Sequence, residues 1–324
     1  DYQLLGRRSE EKRQDQGVVG ETGMSLSCEL ARYRFNLTFD QPFTLPLYSG
    51  SMLRGAFGHA LRQISCVTRQ RNCDNCPLLN GCHYPRIFEP KLLGVIPGQP
   101  EPAPPYILEP PPGPLALVAG EEWSFNIVLY GPALSLLSMI ILALTQAAAR
   151  GFGSQQIPAR VLSVAVEQPD GWHIICSIDD PIIKPHSTKV SIPSNPESVN
   201  LALELLTPTR LLRQGHPVGP QKLSGRDFYS ALLRRSSQIA ESLGIAAPPQ
   251  MTLSEFPLLP DNLRWLDWSR YSSRQKQSMQ LGGLIGTFSL EQWPAELWPW
   301  LWIGQWCHIG KNASFGLGQY RLLL

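Results

Sequence analysis

The stretch HIGKNASFGLGQYRLLL, residues 308–324, places three glycines between a tryptophan-rich segment and a strand-like run. These glycines are Gly310, Gly316 and Gly318. The phosphate-binding loops of nucleotide hydrolases run from a strand into a helix, and Ser or Thr follows their GK pair. Here a helix-like segment comes first, a strand pattern follows, and Asn312 stands after Lys311. The sequence therefore excludes a nucleotide-hydrolase loop.

A similar glycine joint occurs near the middle of the sequence, where RGFGSQQIPARVLSVAVEQ (150–168) leads from two glycines into a strand pattern. The apolar run before it, 133–149, falls short of the ~20 residues that span a membrane and contains Ser, Thr and Gln. We therefore predict a buried helix there. Residue periodicity predicts further elements upstream: a strand at 31–39, a helix at 49–65 and a strand at 121–131.

The second half of the sequence repeats this theme. It contains a strand pattern at 198–212, a helix at 226–244, candidate strands in LRWLDWSRYS and LGGLIGTFSLE, a helix in WPAELWPWLWIGQWCHIG and a last strand in FGLGQYRLLL. Strand–helix–strand–strand–helix–strand is the order of a ferredoxin-like unit. We therefore predict an α+β fold of two tandem ferredoxin-like (βαββαβ, RRM-like) domains with a C-terminal glycine-rich loop.

The predicted N-terminal domain covers residues 24–168 and includes a Cys-rich insertion at 66–113. The predicted C-terminal domain covers residues 169–324, with the glycine-rich loop at 310–318. Residues 1–23 are highly charged, poor in apolar residues and without the apolar core of a secretory signal. We interpret them as a disordered leader or an expression remnant, and we expect the protein in the cytoplasm.

Composition narrows the classes of partner. With 324 residues, 43% hydrophobic and 17% charged, the chain is typical of a folded globular protein. A formal net charge of +2 is too small to indicate nucleic-acid binding by itself, so any basic surface must be local. One such patch contains Arg270, Arg274 and Lys276 beside Tyr271. It suits phosphate contact and base stacking, and a solvated strand edge is the alternative.

Four of the seven cysteines cluster with the spacing C-x6-C-x2-C-x5-C: Cys66, Cys73, Cys76 and Cys82. A C-x2-C pair presents two thiolates to one tetrahedral ion, and two further thiolates would complete a closed structural Zn²⁺ site. Disulfides are the alternative, but no signal peptide indicates an oxidising compartment. A closed site leaves no position for water, so this zinc would brace the insertion and take no part in catalysis.

Four motifs carry a family resemblance: LRGAFGHALR (53–62), CDNCPLLNGCHY (73–84), RYSSRQ (270–275) and HIGKNASFGLGQY (308–320). With the doubled ferredoxin-like pattern, they resemble the repeat-RNA-processing endoribonucleases within the RAMP superfamily of CRISPR-associated proteins. The resemblance covers about Met24 to Leu324. It implies a metal-independent cut within each repeat of a CRISPR transcript, without a catalytic cofactor, that leaves a 2′,3′-cyclic phosphate and a 5′-hydroxyl.

The resemblance also assigns RNA contacts. It implies that the glycine-rich loop lets RNA approach main-chain N–H groups at three positions, Gly310, Gly316 and Gly318. Lys311 adds a point charge for phosphate, and Arg54 on the first predicted helix adds another. The alternative is a tight joint between helix and strand, for which glycine is the least strained residue.

Metal-free RNA cleavage needs a base for the 2′-OH proton, an acid for the departing 5′-oxygen, and cations or N–H donors for the phosphate. Among six histidines, His59 falls off the apolar stripe of its helix, on the side of Gly55 and Arg62. From the residues alone, a solvated surface histidine is the simpler interpretation. Resemblance to the family's first-helix histidine favours His59 as the catalytic residue. Tyr48 is the candidate to position or protonate, Arg62 is the candidate to stabilise charge, and His308 is the second choice of histidine.

These observations predict an endoribonuclease that binds CRISPR repeat RNA and cleaves pre-crRNA into guide RNAs, with RNA and other CRISPR effector subunits as partners. The alternative is a non-catalytic RAMP subunit that binds crRNA in a surveillance complex, because such members share the fold and the loop. A zinc-dependent hydrolase is disfavoured, since the sequence has no HExxH or comparable open-site motif. No membrane partner is predicted.

Overall fold

The computed structural model describes residues 26–95, 97–98, 100–198, 200–252, 257–267, 269–272 and 277–324. The first half contains β1 (Ser27–Phe39), β2 (Phe43–Leu45), α1 (Gly50–Ser65), α2 (His83–Ile87), β3 (Tyr106–Glu109), β4 (Leu115–Leu117), β5 (Glu122–Tyr130), α3 (Leu137–Arg150), β6 (Ala159–Gln168), β7 (Gly171–Ser177) and β8 (Lys189–Ser191). The second half contains β9 (Asn200–Thr209), β10 (Leu212–Arg213), β11 (His216–Pro217), α4 (Gly225–Leu243), β12 (Leu258–Pro260), β13 (Arg264–Leu266), β14 (Ser269–Ser272), β15 (Gln277–Gln280), β16 (Gly283–Glu291), α5 (Trp298–Cys307) and β17 (Tyr320–Leu323).

The first sheet has the strand order β3-β5-β1-β6-β7, with antiparallel pairing throughout. Tyr33, Phe35 and Leu37 of β1 point to one side and are buried with residues of α1 and α3, as their alternation predicted. β7 and β8 come after residue 168 and still pair with this sheet. The first sheet thus includes strands from beyond residue 168, the predicted domain boundary. The division into domains itself stays a prediction.

The second sheet has the order β12-β16-β9-β17, and β13 also pairs with β16. Helix α4 begins at a capping box of Ser224 and Asp227 and ends at Gly244 in the left-handed conformation. Helix α5 leads through the glycine-rich loop into β17. In each sheet the first strand of the unit (β1 or β9) pairs with the last strand of the unit (β6 or β17). One helix follows the first strand and another precedes the last strand. The predicted α+β fold of two tandem ferredoxin-like units is confirmed.

One helical segment in the part of the chain that the structure describes is long and apolar enough to cross a membrane, judged by length and composition alone. It is Gly131–Arg150, which consists of α3 and the 3-10 turn before it. Its inner face consists of Leu137, Ile140, Ala143, Leu144, Ala147 and Ala148, which are buried in the core under the first sheet. The segment therefore packs as the buried helix that the sequence predicted.

The two units share a hydrophobic core. Leu30, Val128 and Tyr130 lie on the face of the first sheet turned away from α1 and α3, and they pack in one cluster with α4 and α5. Arg235 of α4 donates hydrogen bonds to the Tyr130 hydroxyl at 3.2 Å and to the Cys307 carbonyl at 3.0 Å. From the end of α5 the glycine-rich loop runs back to β3 and α1. Both units therefore border the N-terminal end of α1.

Candidate functional site

A cleft of about 1960 Å³ opens along α1. Its walls come from α1 and the residues before it, the Cys-rich insertion, the end of α3 with the glycines that follow, and the tip of the glycine-rich loop. The basic residues in its lining are Arg54, Arg62, Arg71 and Arg150, and the acidic ones are Asp74, Glu89 and Asp267. Among the described lining residues, His59 is the one histidine. The cleft therefore combines arginines with a single imidazole.

His59 is exposed on α1, whereas the opposite side of the helix is buried in the core. Its neighbour Gly58 lies so close to the ring of Phe88 that a Cβ atom would overlap the ring, so α1 fits tightly against the insertion. Gly55, one turn before His59, is exposed and has open space where a Cβ would stand. A phosphate group can therefore approach the helix surface beside the imidazole.

Arg54 lies in the same cleft and is held between two aromatic rings. Its guanidinium carbon is 4.3 Å from the ring centre of Phe88 and 4.9 Å from that of Phe315. Phe88 belongs to the Cys-rich insertion of the first unit, and Phe315 belongs to the glycine-rich loop of the second. Stacking of this kind orients the planar guanidinium and restricts its motion. Both units thus contribute to the placement of one cleft arginine.

Arg62 lines the cleft together with His59, but its guanidinium is engaged by the protein. Its Nη2 atom donates hydrogen bonds to the carbonyls of Gln70 and Arg71 at 2.8 and 2.7 Å. Its guanidinium carbon lies 5.9 Å from the ring centre of Tyr84. These contacts fasten the start of the insertion to α1. The charge of Arg62 still contributes to the cleft, while its hydrogen-bonding capacity is partly used.

Tyr48 is buried just before α1, and its hydroxyl donates a hydrogen bond to the Phe315 carbonyl at 2.6 Å. Burial raises the pKa of Tyr48 well above its usual value, and the charge of Glu109 adds to this effect. A buried phenol with a raised pKa and a fixed acceptor suits the anchoring of a loop better than proton transfer. The role predicted for Tyr48 in catalysis stays a prediction.

His308 is fully buried at the end of α5. Its Nε2 atom lies 2.9 Å from Glu109 Oε1 and its Nδ1 atom lies 3.2 Å from the Leu317 carbonyl. Burial lowers the pKa of His308, although the contact with Glu109 opposes this. Burial alone would raise the pKa of Glu109, but the charge of Arg32 and the hydrogen bond from His308 lower it to about 2. The structure therefore keeps this second-choice histidine away from the cleft, inside the contact between the units.

The three loop glycines are required by packing within the protein. Gly310, Gly316 and Gly318 have φ angles of 78°, 91° and 76°. A Cβ atom at these positions would meet the carbonyl oxygens of Arg210, Leu108 and Ile309, in that order. The N–H groups of Gly316 and Gly318 also donate to protein carbonyls. The loop thus has the tight joint that the sequence analysis gave as the alternative, and direct RNA contact by its glycines stays a prediction.

Lys311 and the basic patch at 270–276 complete the predicted RNA-contact set. Lys311 is exposed next to the cleft residue Asn312. Arg274 and Lys276 lie outside the described residues. For Arg270 the structure describes only the backbone, in β14. The basic patch at 270–276 therefore remains a sequence prediction.

The four cysteines of the insertion are not arranged as a metal site. Cys66 and Cys76 each lie 3.8 Å from the hydroxyl of Thr68, and Cys82 lies 3.9 Å from the Ser65 carbonyl. All seven cysteines are free. Within the described ranges, no group of three or more His, Cys, Asp or Glu side chains is placed to hold a metal ion. The predicted zinc site is thus not supported.

Sequence reasoning missed cleft residues that depend on long-range packing. Arg150 ends α3 and reaches the cleft together with Gly151 and Gly153. Phe88 and Phe315 enclose Arg54 although 227 positions separate them (315 − 88). The position of Arg150 beside the first glycine joint was the one local signal for it. No spacing rule could have paired Phe88 with Phe315.

Two family models match the chain. The model AF_1859_N, described as an N-terminal domain, matches residues 26–188, just over half of the 324 residues. The model of the CRISPR-associated endoribonuclease Cas6 matches residues 203–320, which include the glycine-rich loop. No curated protein sequence gives a significant match.

Solved structures with the same architecture cover nearly the whole chain. The product complex of Thermus thermophilus Cas6 (TTHB231) has a TM-score of 0.53 at 15% identity, covering 91% of this chain and 99% of that one. A Cas6 (TTHA0078) product complex has a TM-score of 0.50 at 17% identity, covering 92% and 100%. A partial Cas6-RT-Cas1–Cas2 complex has a TM-score of 0.53 at 13% identity, covering 93% and 46%. At these identities the likeness establishes the fold.

Proposed function

We propose that this chain, whose residues 203–320 match the model of the CRISPR-associated endoribonuclease Cas6 and whose fold is that of solved Cas6 structures, is a metal-independent endoribonuclease. Its substrate is pre-crRNA, which it binds and cuts within the repeat to release guide RNAs. One fragment carries a 2′,3′-cyclic phosphate and the other a 5′-hydroxyl. The protein acts in the cytoplasm, where the CRISPR transcript is made.

The observation that carries this proposal is the position of His59. It is exposed on α1, in a cleft that also presents Arg54 and Arg150. Imidazole is the side chain best suited to exchange protons near neutral pH. Gly55 leaves room for a phosphate on the same helix surface. One surface thus offers a proton-transfer group, positive charge and access.

The nucleophile in this reaction is the 2′-oxygen of the RNA itself. As it loses its proton and bonds to phosphorus, the bond from phosphorus to the 5′-oxygen breaks and that oxygen takes up a proton. His59 either accepts the first proton or supplies the second, and water exchanges the other. The 2′-hydroxyl and the leaving oxygen both belong to the substrate, so the step needs no oxidant, reductant or further reactant.

The phosphate gains negative charge as the new bond forms, and Arg54 is the cation best placed to stabilise it. The rings of Phe88 and Phe315 hold its guanidinium in the cleft. A preoriented donor of this kind contributes roughly 3 kcal/mol to a transition state. Arg150 adds charge from the end of α3, and exposed Lys311 extends the RNA path beyond Asn312.

A non-catalytic crRNA-binding subunit is the second candidate. The burial of Tyr48 and His308 favours it, because each was a candidate to assist or replace His59 in proton transfer. In both cases repeat RNA is the ligand and other CRISPR proteins are partners. One structural neighbour is a complex that also contains Cas1 and Cas2, which supports such partners.

The proposal is tested by incubating the protein with end-labelled cognate repeat RNA in excess EDTA. We expect cutting at one position, with a cyclic phosphate on the upstream product detected by mass spectrometry. A repeat with a single 2′-deoxynucleotide at the mapped position should remain intact, because it lacks the nucleophile. Cutting that requires added Mg²⁺ would contradict the metal-free reaction. Tight binding without cutting would support the second candidate, a non-catalytic crRNA-binding subunit.

A further inference from the structure

A buried carboxylate holds both ends of the glycine-rich loop. Glu109, at the end of β3, has a side chain that is only 3% exposed. Its Oε1 atom lies 2.9 Å from His308 Nε2, just before the loop, and accepts a hydrogen bond at 3.3 Å from Gln319 Nε2, just after it. Arg32 of β1 donates to both oxygens of Glu109, at 2.8 and 3.0 Å. One group of the first unit therefore fixes both ends of a loop of the second.

Between these ends the loop is tied into a compact turn. The N–H of Ile309 donates to the Gly318 carbonyl at 3.0 Å, which closes the loop on itself. The hydroxyl of Thr207 donates to the Gly316 carbonyl at 2.8 Å. These bonds leave the loop little freedom between its base at Glu109 and its tip at Phe315.

The tip of the loop reaches the cleft through Phe315. Its carbonyl accepts the hydrogen bond from the buried Tyr48 hydroxyl at 2.6 Å. Its ring centre lies 4.9 Å from the guanidinium carbon of Arg54, and that of Phe88 lies 4.3 Å from the same atom. Losing the Phe315 ring would leave Arg54 with one of these two rings.

We propose that Glu109 is a positioning residue for the RNA cleft: by anchoring both ends of the glycine-rich loop, it keeps Phe315 against Arg54 and orients this arginine toward an RNA phosphate. The inference rests on the proposed function, because it explains how the same cleft holds its substrate. Glu109 does not itself touch RNA. It acts from the interior, through His308 and Gln319, on a guanidinium at the surface of the cleft.

Glu167 provides a matched control for Glu109. Both carboxylates accept hydrogen bonds from Arg32 at 2.8 Å, so the variants Glu109→Gln and Glu167→Gln each remove one negative charge from the same arginine. Only Glu109 contacts His308 and Gln319. Glu167 instead accepts a hydrogen bond from Trp306. A difference between the two variants therefore reports on the contacts with His308 and Gln319 and on the second hydrogen bond from Arg32, all of which Glu109 makes and Glu167 does not.

The anchor is tested first without RNA, by amide hydrogen exchange. In Glu109→Gln we expect exchange in the loop at 309–319 and in the first turn of α1 to accelerate about tenfold or more, because the loop loses its fixed base. In Glu167→Gln these segments should exchange as in the unaltered protein. Equal exchange of the loop in both variants would overturn the anchoring part of the proposal.

The link to Arg54 is tested by cleavage of bound repeat RNA with protein in excess. We expect Glu109→Gln to slow cleavage roughly tenfold to a hundredfold, as small displacements in an active site do. Phe315→Leu should slow it similarly, since it removes the ring and keeps the carbonyl for Tyr48. In an Arg54→Ala background, neither change should have a further effect. Full additivity with Arg54→Ala would show that Glu109 acts by another route and would overturn the proposal.

Failure of this proposal is distinguishable from failure of the proposed function. If the unaltered protein cuts RNA but Glu109→Gln and Glu167→Gln cut alike, the positioning role is wrong and the nuclease stands. If the unaltered protein does not cut, the proposed nuclease function is wrong. The positioning role is then decided by the exchange experiment and by comparing the RNA affinities of Glu109→Gln and Glu167→Gln. Should Glu109→Gln fail to fold, Phe315→Leu alone decides whether the loop tip supports Arg54.

Discussion

Arg54 shows how one side chain of the cleft depends on distant parts of the chain. Its position on α1 follows from helical spacing, and its charge makes it a natural phosphate ligand. The two rings that orient it come from Phe88 and Phe315. A planar guanidinium stacks on aromatic faces, whereas the compact ammonium of lysine is a point charge on a flexible stem. A substitution can therefore keep the positive charge at position 54 while removing the oriented guanidinium.

This separation gives a prediction for Arg54→Lys. The charge remains, so we expect the Kd for repeat RNA to change by no more than a few-fold. The stacked geometry is lost, so the rate of cleavage of bound RNA should fall about tenfold. Arg54→Ala should weaken binding and cleavage together. Filter binding and single-turnover kinetics measure the two effects.

Arg226, exposed on α4 and outside the described cleft lining, is the control for loss of one positive charge. Arg226→Ala should leave the Kd for repeat RNA and the rate of cleavage unchanged within a factor of about two, because surface charges away from a site change stability and binding little. If Arg54→Lys cleaves at the unaltered rate, the orientation of the guanidinium has no part in the reaction.

The histidines mark the limit of sequence reasoning at the residue scale. Helical spacing was enough to place His59 on the outer side of α1, because the apolar stripe of that helix is local information. His308 was the second choice because it lies beside the loop. It is buried against Glu109, which is 199 positions away in sequence. Local patterns cannot reveal a contact at that separation.

At the scale of elements, two of the three glycines of α1 have opposite surroundings. A Cβ at Gly58 would overlap the ring of Phe88, whereas a Cβ at Gly55 would meet open space. Gly58 thus sets how closely the helix approaches the insertion. Gly55 keeps the cleft side of the helix bare.

We therefore predict opposite signs for two alanine substitutions in α1. Gly58→Ala should lower the free energy of unfolding by about 1–3 kcal/mol, because the new methyl group overpacks against Phe88. Gly55→Ala should raise it by roughly 0.5–1 kcal/mol, because alanine is the better helix former. Urea denaturation of both variants measures these changes. A loss of stability in Gly55→Ala equal to that in Gly58→Ala would contradict the described packing of α1.

The glycine-rich loop gives a second prediction at this scale. Gly316 has a φ angle of 91° and lies against the Leu108 carbonyl and the Tyr48 hydroxyl. Gly316→Ala should therefore lower the free energy of unfolding by more than about 1 kcal/mol, as alanine does where φ is positive. Gly219 has a φ angle of −79° and open space around it, so Gly219→Ala is the control and should be nearly neutral. Equal melting temperatures for the two variants would contradict a packing role for this glycine.

The order of elements was readable from the sequence because each element carries its own period. β1 alternates, α1 repeats every three to four residues, and glycines mark the joint before the last strand of each unit. The second strand of the first unit was the weak point: β3 lies within the Pro-rich end of the insertion, where no clear alternation is present. The cysteine spacing could not decide the zinc site, since it reports the sequence separation of thiols and not their direction in space.

At the scale of the whole molecule, the two units are joined by an apolar cluster and by a buried polar network. The cluster packs α4 and α5 on the open face of the first sheet. The network joins Arg32, Glu109 and Glu167 of the first unit to His308 and Gln319 of the second. Neither contact could be predicted from the sequence, because each depends on how complete sheets and helices dock.

The network makes stability depend on pH in a defined direction. The pKa of Glu109 falls from 4.5 to about 2 on folding, so its contribution is present above pH 4.5 and is lost as the pH falls toward 2. The lowered pKa of His308 acts in the same direction below pH 6.5. We expect the free energy of unfolding to fall on acidification, with Glu109 contributing on the order of 3 kcal/mol.

Urea denaturation at a series of pH values measures this dependence. Glu109→Gln removes the carboxylate and should flatten the curve between pH 4.5 and 2. Asp40 lies on the surface in an exposed ion pair with Arg160, so Asp40→Asn should leave the shape of the curve nearly unchanged. A curve for Glu109→Gln that is as steep as that of the unaltered protein would mean that Glu109 is not held ionised in the folded state.

The most direct test of the central claim is the rate at which His59→Ala cuts cognate repeat RNA in excess EDTA, with protein in excess over RNA. His173→Ala is the matched control, since His173 is exposed on β7 and pairs with Asp170 away from the cleft. We predict a fall of about a hundredfold or more for His59→Ala, the usual contribution of a general acid or base, and no change for His173→Ala. Cleavage by His59→Ala at the unaltered rate would contradict the assignment of the active site to this cleft histidine.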